Sequence, residues 1–369
     1  MKIQESFIRE NVRLAPYTTL QVGGNARYFA EPTNEDEIVA ALRWAHARSL
    51  PLFVLGGGSN LLVSDAGFQG VVLHMTLAGI EACDGGGKRS YSAGAGVNWD
   101  TLVARAVADN CAGVECLSGI PGSVGGTPVQ NVGAYGQDIS ETLTRVCAID
   151  STSLQRVEFD RAGCGFGYRQ SRFNGRDRGR YIVTRVDYAL HPGGAPKIAY
   201  AELQRYFSSQ PNSQPSAQCS AQCGAAATPT LAQTREAVLA IRRAKGMVLD
   251  ENDADSRSAG SFFKNPVVSL ADYERIAAAS VEPVPHFEAG AGRVKLVAAW
   301  MIEQAGIEKG FALGAVAISS KHTLALINRG GATAADVLRL KELVQHRVHQ
   351  RFGVELQPEP VMLGFGTCN

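Results

Sequence analysis

The sequence predicts an α+β protein in three parts, a two-part N-terminal module followed by a C-terminal α/β domain. Three features lead there. Residues 26–55 read as strand, helix, strand. From residue 71 onward, short apolar strands alternate with glycine turns around one clear helix. Between Ser208 and Thr230 the run SSQPNSQPSAQCSAQCGAAATPT carries neither charge nor large apolar side chains, and helix and strand patterns resume after it. With 369 residues, 45% of them hydrophobic, the chain can bury a sizeable core and is long enough for about two to three domains.

Taken in order, Ala26–Ala30 is strand-like. Thr33 and Asn34 can cap a helix with Asp36 and Glu37 three residues on, and Ile38, Ala41, Leu42 and Ala45 follow at helical spacing. Pro51–Leu55 is a short buried strand that runs straight into Gly56-Gly57-Gly58-Ser59-Asn60. A strand over Gly70–His74, a helix from Asp100 to Asn110 and a strand over Tyr181–Tyr188 come next, the last from its alternation and β-branched content. The uncharged run 208–230 reads as a flexible insert. Leu231 to Lys245 is helical, stopped by Gly246. A further helix is expected from Lys295 to Ala305, then strands over Ala312–Ile318 and Thr323–Asn328. Thr333 with Asp336 caps a long helix reaching Phe352, whose buried stripe is Val337, Leu340, Val344 and Val348. The expected parts are therefore 1–70, 71–230 with its insert, 231–355, and a tail over 356–369.

Composition excludes several classes. The 36 basic and 35 acidic side chains leave a formal charge of +1, with no bulk basic field for nucleic acid. The eight cysteines form no Cys-x-x-Cys pair and no metal-type spacing with histidine, so no metal is expected. The first residues, MKIQESFIREN, lack the apolar core of a signal peptide, and no apolar run approaches the ~18–20 residues that span a bilayer. A soluble, reduced, cytoplasmic protein without membrane insertion is expected.

Forty glycines, about 11% of the chain against ~7% ordinarily, point to tight turns or close backbone approach to a ligand. GGGSN is not a phosphate loop of the Gly-Lys-Ser/Thr type, nor does any Gly-x-Gly-x-x-Gly open a helix or any Gly-x-Ser-x-Gly form a hydrolase elbow. Its consecutive backbone N–H groups, with Ser59 and Asn60, can form an anion nest. A second loop, Gly119-Ile-Pro-Gly-Ser-Val-Gly-Gly126, leads directly into Thr127-Pro-Val-Gln-Asn-Val-Gly-Ala-Tyr-Gly136. So many small residues pack poorly as core. Two such loops suit a large ligand with a phosphate and a long apolar body.

GGGSNLLVSDAGFQGVVL together with SGIPGSVGGTPVQNVGAYG resembles the FAD-binding domain of the p-cresol methylhydroxylase type. More narrowly, the chain is similar to the UDP-N-acetylenolpyruvoylglucosamine reductase family through Thr18-Thr-Leu, GYRQSRF at 167–173, AGSFFKNP at 259–266, Lys295 and Leu356-Gln-Pro-Glu359. The matches occur in family order and cover nearly all of the chain except the insert. The resemblance implies a two-part FAD module over 1–70 and 71–230, a substrate domain over 231–355, and a tail that returns to the active site. It implies FAD held by Gly56, Gly57, Gly58, Ser59, Asn60, Leu61, Gly122, Ser123, Gly126, Asn131, Gly133, Ala134 and Tyr135. The implied reaction is reduction of an enolpyruvyl ether to a lactyl ether on a nucleotide sugar, in peptidoglycan precursor synthesis. In the implied reaction NADPH reduces the flavin first and leaves, and a monomer is expected.

Such chemistry needs a cation at a carboxylate whose charge grows and an acid for the carbon bearing the ether oxygen. The resemblance gives these roles to Arg169, whose planar fork suits a carboxylate, to Ser261 as proton donor, and to Glu359 at the carboxylate end. Lys245, Lys295 and Asn265 match positions for the diphosphate. Tyr200 matches a loop that closes over substrate, Tyr168 packs beside Arg169 or lies over the substrate, and His322 matches a polar position on the substrate side. Without the resemblance, Ser261 reads as a turn hydroxyl, Glu359 as a solvated loop carboxylate, and the lysines as surface charges. Two departures stand out. The family commonly has proline soon after the lysine matching Lys245, where this chain has Gly246-Met247 and the acidic loop Asp250–Asp255, and the insert follows the Tyr200 segment directly. A flavin oxidoreductase acting on an alcohol and a non-catalytic nucleotide-sugar binding module are the alternative readings.

Overall fold

A computed structural model describes residues 7–209, 228–290 and 292–366. Most of the expected insert, with Cys219 and Cys223, lies outside the described residues, as does Cys368. The chain divides into two compact units, one drawn from Met1–Glu10, Tyr28–Gly57 and Gly70–Arg243, the other from Asn11–Arg27, Gly58–Gln69 and Ala244–Asn369.

The first unit contains helices α1 (Glu35–His46), α2 (Trp99–Ala108), α3 (Ala201–Ser208) and α4 (Leu231–Ala244). The side chain of Asn34 caps α1 by accepting from Glu37 N, and the expected stripe of Ile38, Ala41, Leu42 and Ala45 is buried. Strand Leu52–Leu55 lies parallel to strand Phe68–His74, with Leu55 opposite His74, and delivers the chain to Gly56. An antiparallel sheet supplies the other half of the unit. Its order is Arg156–Asp160, Leu143–Asp150, Tyr181–Pro192, Lys88–Gly94, Ile80–Gly85. Strand Tyr181–Pro192 alternates Ile182, Thr184, Val186 and Tyr188 toward the core as its β-branched pattern requires, and Trp99 of α2 packs on Tyr188. The main core of the first unit runs from Ala30 to Leu190, and a smaller cluster gathers Cys116, Tyr135, Leu203, Ala237, Val238 and Ile241.

In the second unit, strands Ser258–Ser261, Ala325–Asn328, Val316–Ile318 and Ala312–Leu313 form an antiparallel sheet in that order. A three-stranded sheet runs Val267–Ser269, Arg293–Leu296, His286–Glu288. Helices α5 (Leu270–Ala278), α6 (Ala298–Gln304) and α7 (Ala334–Phe352) complete it. The full capping box of Thr333 and Asp336 opens α7, and Asp65 accepts from Ala334 N and Ala335 N at 2.8 and 2.9 Å. The predicted stripe of Val337, Leu340, Val344 and Val348 is buried, against a core that also takes in Leu20, Val22 and Leu62.

Two sequence expectations are corrected here. The helix expected from Lys295 is a strand over Arg293–Leu296 followed by a shorter helix, α6. Lys295 pairs with Val267 on one side and Phe287 on the other, while Asn265 accepts from Ala298 N at 2.9 Å and starts the helix three residues later. The apolar spacing continues across the junction, so periodicity cannot see it. The single strand expected over Ala312–Ile318 is a hairpin, Leu313 opposite Val316, with Gly314 at φ 65° in its turn.

Among the described residues no helix is long and apolar enough to cross a membrane, and no group of three or more His, Cys, Asp or Glu side chains could hold a metal ion.

Asp100, in the first turn of α2, ties three segments of the first unit together. Its carboxylate takes both arms of Arg235 from α4 at 2.7 Å and accepts from Gly119 N at 2.6 Å. Burial alone would raise its pKa, but these hydrogen bonds outweigh it and hold the carboxyl below the usual range. The stabilisation is therefore complete above an unfolded pKa of about 3.9 and is lost as pH falls through the folded value. Asp100→Asn is expected to lower unfolding free energy by about 1–3 kcal/mol at pH 7 and to flatten the fall in stability below about pH 4, both read from urea unfolding.

Candidate active site

In the first unit the two glycine loops meet backbone to backbone. A β-carbon on Gly56 would stand 2.7 Å from Ser123 Oγ, and one on Gly57 would stand 2.7 Å from Gly122 Cα. Only glycine fits at that approach. The Ser123 hydroxyl is buried and has no hydrogen-bond partner, while a β-carbon on Gly126 would touch nothing nearer than that hydroxyl at 3.9 Å. The two loops therefore meet at glycine, with one buried, unspent hydroxyl at the contact. Buried hydroxyls are normally satisfied, so this one awaits an acceptor or donor from outside the protein. Gly58, Ser59, Asn60 and Leu61 belong to the second unit, where Gly58 O accepts from Thr19 N, Asn60 O accepts from Val361 N, and Leu61–Val63 runs parallel to Val361–Leu363.

The end of the second loop is a tight hairpin. Gly133-Ala134 pairs with Gln137-Asp138 across a two-residue turn in which Tyr135 (φ 49°) and Gly136 (φ 83°) are both left-handed. This turn buries the Tyr135 ring, 8% exposed, edge-on to Tyr200 at 5.5 Å. Burial pushes the Tyr135 hydroxyl up to about 12. Asn131, also left-handed at φ 44°, donates to Gly167 O at 3.1 Å and so joins this loop to the GYR segment.

That segment is itself a two-residue hairpin. Gly167 and Gln170 exchange both backbone hydrogen bonds, and Tyr168 and Arg169 form its tip. Arg169 sits at φ 54°, a conformation that costs a non-glycine residue about 1–2 kcal/mol. Its carbonyl accepts from Asn174 Nδ2 at 3.1 Å, and its guanidinium lies 5.8 Å from the centroid of Tyr168, whose ring is 75% exposed. Such strain clusters at functional sites, which makes Arg169 a candidate.

In the second unit a bulge aims Ser261. Ser258 pairs with Ile327 and Ser261 with Ala325, so three steps on one strand oppose two on the other, and Gly260 takes up the difference at φ 71°. Ser261 Oγ lies 3.2 Å from His322 Nε2. The tail runs alongside: Lys264 N donates to Gln357 O and Glu359 N to Phe262 O, each at 2.9 Å, bringing the backbone of Glu359 next to Phe262. Lys245 follows α4, and Lys295 sits on its strand with Nζ 5.5 Å from the centroid of Phe287.

Residues 252–363 match the family described as UDP-N-acetylenolpyruvoylglucosamine reductase, C-terminal domain, and residues 26–153 match an FAD binding domain. The reductase of Thermobifida fusca is 46% identical over 367 residues, covering 97% of this chain and 98% of that protein. The chain belongs to the UDP-N-acetylenolpyruvoylglucosamine reductase family. The reductase of Streptomyces coelicolor is 44% identical over 360 residues, covering 95% of this chain and 89% of that protein. The crystal structure of the reductase from Thermus caldophilus superposes with a TM-score of 0.63 at 25% identity, covering 97% of this chain and all of that one.

Membership in this reductase family makes the chain an FAD-dependent oxidoreductase, and the glycine contact with the unspent Ser123 hydroxyl fits a cofactor laid against backbone. Of the expected catalytic residues, Ser261 and Glu359 share the second unit and adjacent backbone, while Arg169 belongs to the first. Asn265 spends its side-chain oxygen on the start of α6.

Sequence reading missed Arg242. It is 8% exposed, on the same face of α4 as Val238 one turn earlier, hydrogen-bonds Tyr135, and feels the charge of Arg169. Burial disfavours its charge and holds its pKa below the ordinary value. The available signal was a charged residue on the apolar stripe of an amphipathic helix.

Gly57→Ala is expected to abolish retention of FAD, because its β-carbon meets backbone rather than a side chain that can swing away. The visible flavin absorbance per mole of purified protein checks this, and a full flavin complement would refute the assignment of this loop contact to the cofactor.

Proposed function

We propose that the chain reduces UDP-N-acetylglucosamine enolpyruvate to UDP-N-acetylmuramate with electrons from NADPH, in the cytoplasm and as a monomer, during peptidoglycan precursor synthesis. The observation that carries the reading is the glycine bulge that immediately precedes Ser261 in its strand and sets its pairing with Ala325, in a chain of this family. In this reading residues 1–70 and 71–230 carry the cofactor, 231–355 the nucleotide sugar, and 356–369 return Glu359 to the site.

When bound, FAD supplies the hydride that reaches the terminal vinyl carbon. The rest falls to the chain. Arg169 pairs its planar guanidinium with the substrate carboxylate and opposes the negative charge that gathers there as the adjacent carbon becomes carbanion-like. Ser261 gives its hydroxyl proton to that carbon. A serine hydroxyl is a weak acid, so it serves only a strongly basic carbon, which this intermediate offers. Glu359 orients the carboxylate end. Gly56, Gly57, Gly122, Ser123, Gly126 and Asn131 bind the cofactor with Gly58, Ser59, Asn60 and Leu61, and Gly133, Ala134 and Tyr135 complete that set. Tyr168, Tyr200, Lys245, Asn265 and Lys295 take the nucleotide sugar, with the lysines on the diphosphate, and His322 stands beside Ser261 on the substrate side.

The strained turn supports the role of Arg169. Glycine would relax the backbone there, so Arg169→Gly is expected to leave thermal stability equal or higher while slowing substrate-dependent flavin oxidation at least about 100-fold. Loss of NADPH absorbance, followed before and after adding the enolpyruvyl nucleotide sugar to protein and FAD, tests the whole reading. Substrate-dependent loss supports it. A flavin-loaded protein that reacts only with oxygen would move the function to another flavin oxidoreductase.

Ser261→Ala is expected to reduce its flavin with NADPH at the normal rate but to reoxidise it with substrate at least about 100-fold more slowly, by stopped-flow flavin absorbance. Equal slowing of both half-reactions would remove the proton-donor role.

A further inference from the structure

Ser261 Oγ and His322 Nε2 are 3.2 Å apart, and the polarity of that contact decides whether the serine can act. A hydroxyl owns one hydrogen. If Nε2 accepted it, the hydrogen would point into the imidazole and away from any substrate. If Nε2 instead carries the hydrogen and donates, the Oγ–H is free to turn outward, and negative charge left on Oγ is met by a donor already in place. We propose that His322 is a positioning residue for Ser261 that donates Nε2–H to Oγ, and that the acidic loop over residues 250–255 fixes the turn from which it does so.

The turn that carries His322 is held from several sides. It is stitched internally by Ser319 Oγ, which accepts from Lys321 N at 3.0 Å and from His322 N at 3.2 Å, while Ala325 N donates back to His322 O at 3.0 Å. The acidic loop then grips the turn from outside. Asp255 accepts from Ser320 N at 2.8 Å and from Ser320 Oγ at 2.7 Å, and Asp253 takes Lys321 Nζ at 2.6 Å. The next residue, Thr323, hydrogen-bonds Glu303 of α6. On the other side the sheet register is tied by Phe262 N to Leu324 O at 2.7 Å, one residue beyond Ser261. The loop that departs from the family pattern in sequence thus has a definite structural task.

This inference rests on the proton-donor reading of Ser261. In the step it serves, the Ser261 O–H bond breaks and its proton forms a C–H bond on the carbanion-like carbon. The electron pair stays on Oγ, held by Nε2–H, until solvent water returns a proton. No redox change occurs at either residue.

Stopped-flow measurement of both half-reactions on the flavin-loaded enzyme tests the proposal with His322→Ala, His322→Gln, Asp255→Ala, Ser261→Ala and the double variant His322→Ala/Ser261→Ala. His322→Ala should reduce normally with NADPH, which also certifies its fold, and reoxidise with substrate about 10- to 100-fold more slowly. His322→Gln, whose amide can donate to the same oxygen, should recover most of that loss. Asp255→Ala should show a smaller loss in the same half-reaction alone. The double variant should be no slower than Ser261→Ala, because the histidine acts only through the serine. Normal reoxidation in His322→Ala, equal rates for the Gln and Ala variants, or losses that multiply in the double variant would each overturn it while leaving a slow Ser261→Ala intact. Normal reoxidation in Ser261→Ala would instead overturn the proton-donor reading, and this inference with it.

Discussion

The close approach of two backbones in the first unit sets much else in this protein. Gly56 and Gly57 stand against Gly122 and Ser123 at distances no side chain tolerates, and the neighbouring structure works to keep them there. Strand Leu52–Leu55 fixes one loop by its parallel pairing, and Asp100 fixes the start of the other by holding Gly119 while gripping α4 through Arg235. Leaving the Ser123 hydroxyl buried without a partner costs about 1–3 kcal/mol. A protein tolerates such a cost where a ligand offsets it.

The same unit places non-glycine residues where glycine would be comfortable. Asn131, Tyr135 and Arg169 all have left-handed backbones, and each sits where its side chain reaches something the turn alone does not need: Gly167, Tyr200 and Tyr168 respectively. Before Ser261, in the second unit, the left-handed position is instead a real glycine, Gly260, which takes up the irregularity in the strand.

Much of this was legible in the sequence because it is local. The cap and stripe of α7, the stripe of α1 and the strand running into GGGSN depend on residues within a turn or two of each other. Lys295 was misread because RVKLVAAWMIEQ keeps helical spacing through a strand, and the residue that starts α6, Asn265, is 33 positions away. The family motifs led to Arg169, Ser261 and Glu359, yet neither the strain at Arg169 nor the bulge before Ser261 leaves a mark in residue types. His322 and Ser261 meet only through sheet register, which a linear pattern cannot express, and Arg242 could be suspected only as a charge on an apolar face.

The parallel pairing of Leu61–Val63 with Val361–Leu363 has a consequence in time. Leu61 finds its partner 300 positions later in the chain. At about 5–20 residues per second on the ribosome, residues 58–69 wait roughly 15–60 s for the strand that completes them. Through that interval the segment carrying Leu61, Leu62 and Val63, all buried in the finished protein, is an apolar stretch with no strand to pair with. The second unit therefore cannot complete this pairing until residues 361–363 have been made, however early the rest of it forms.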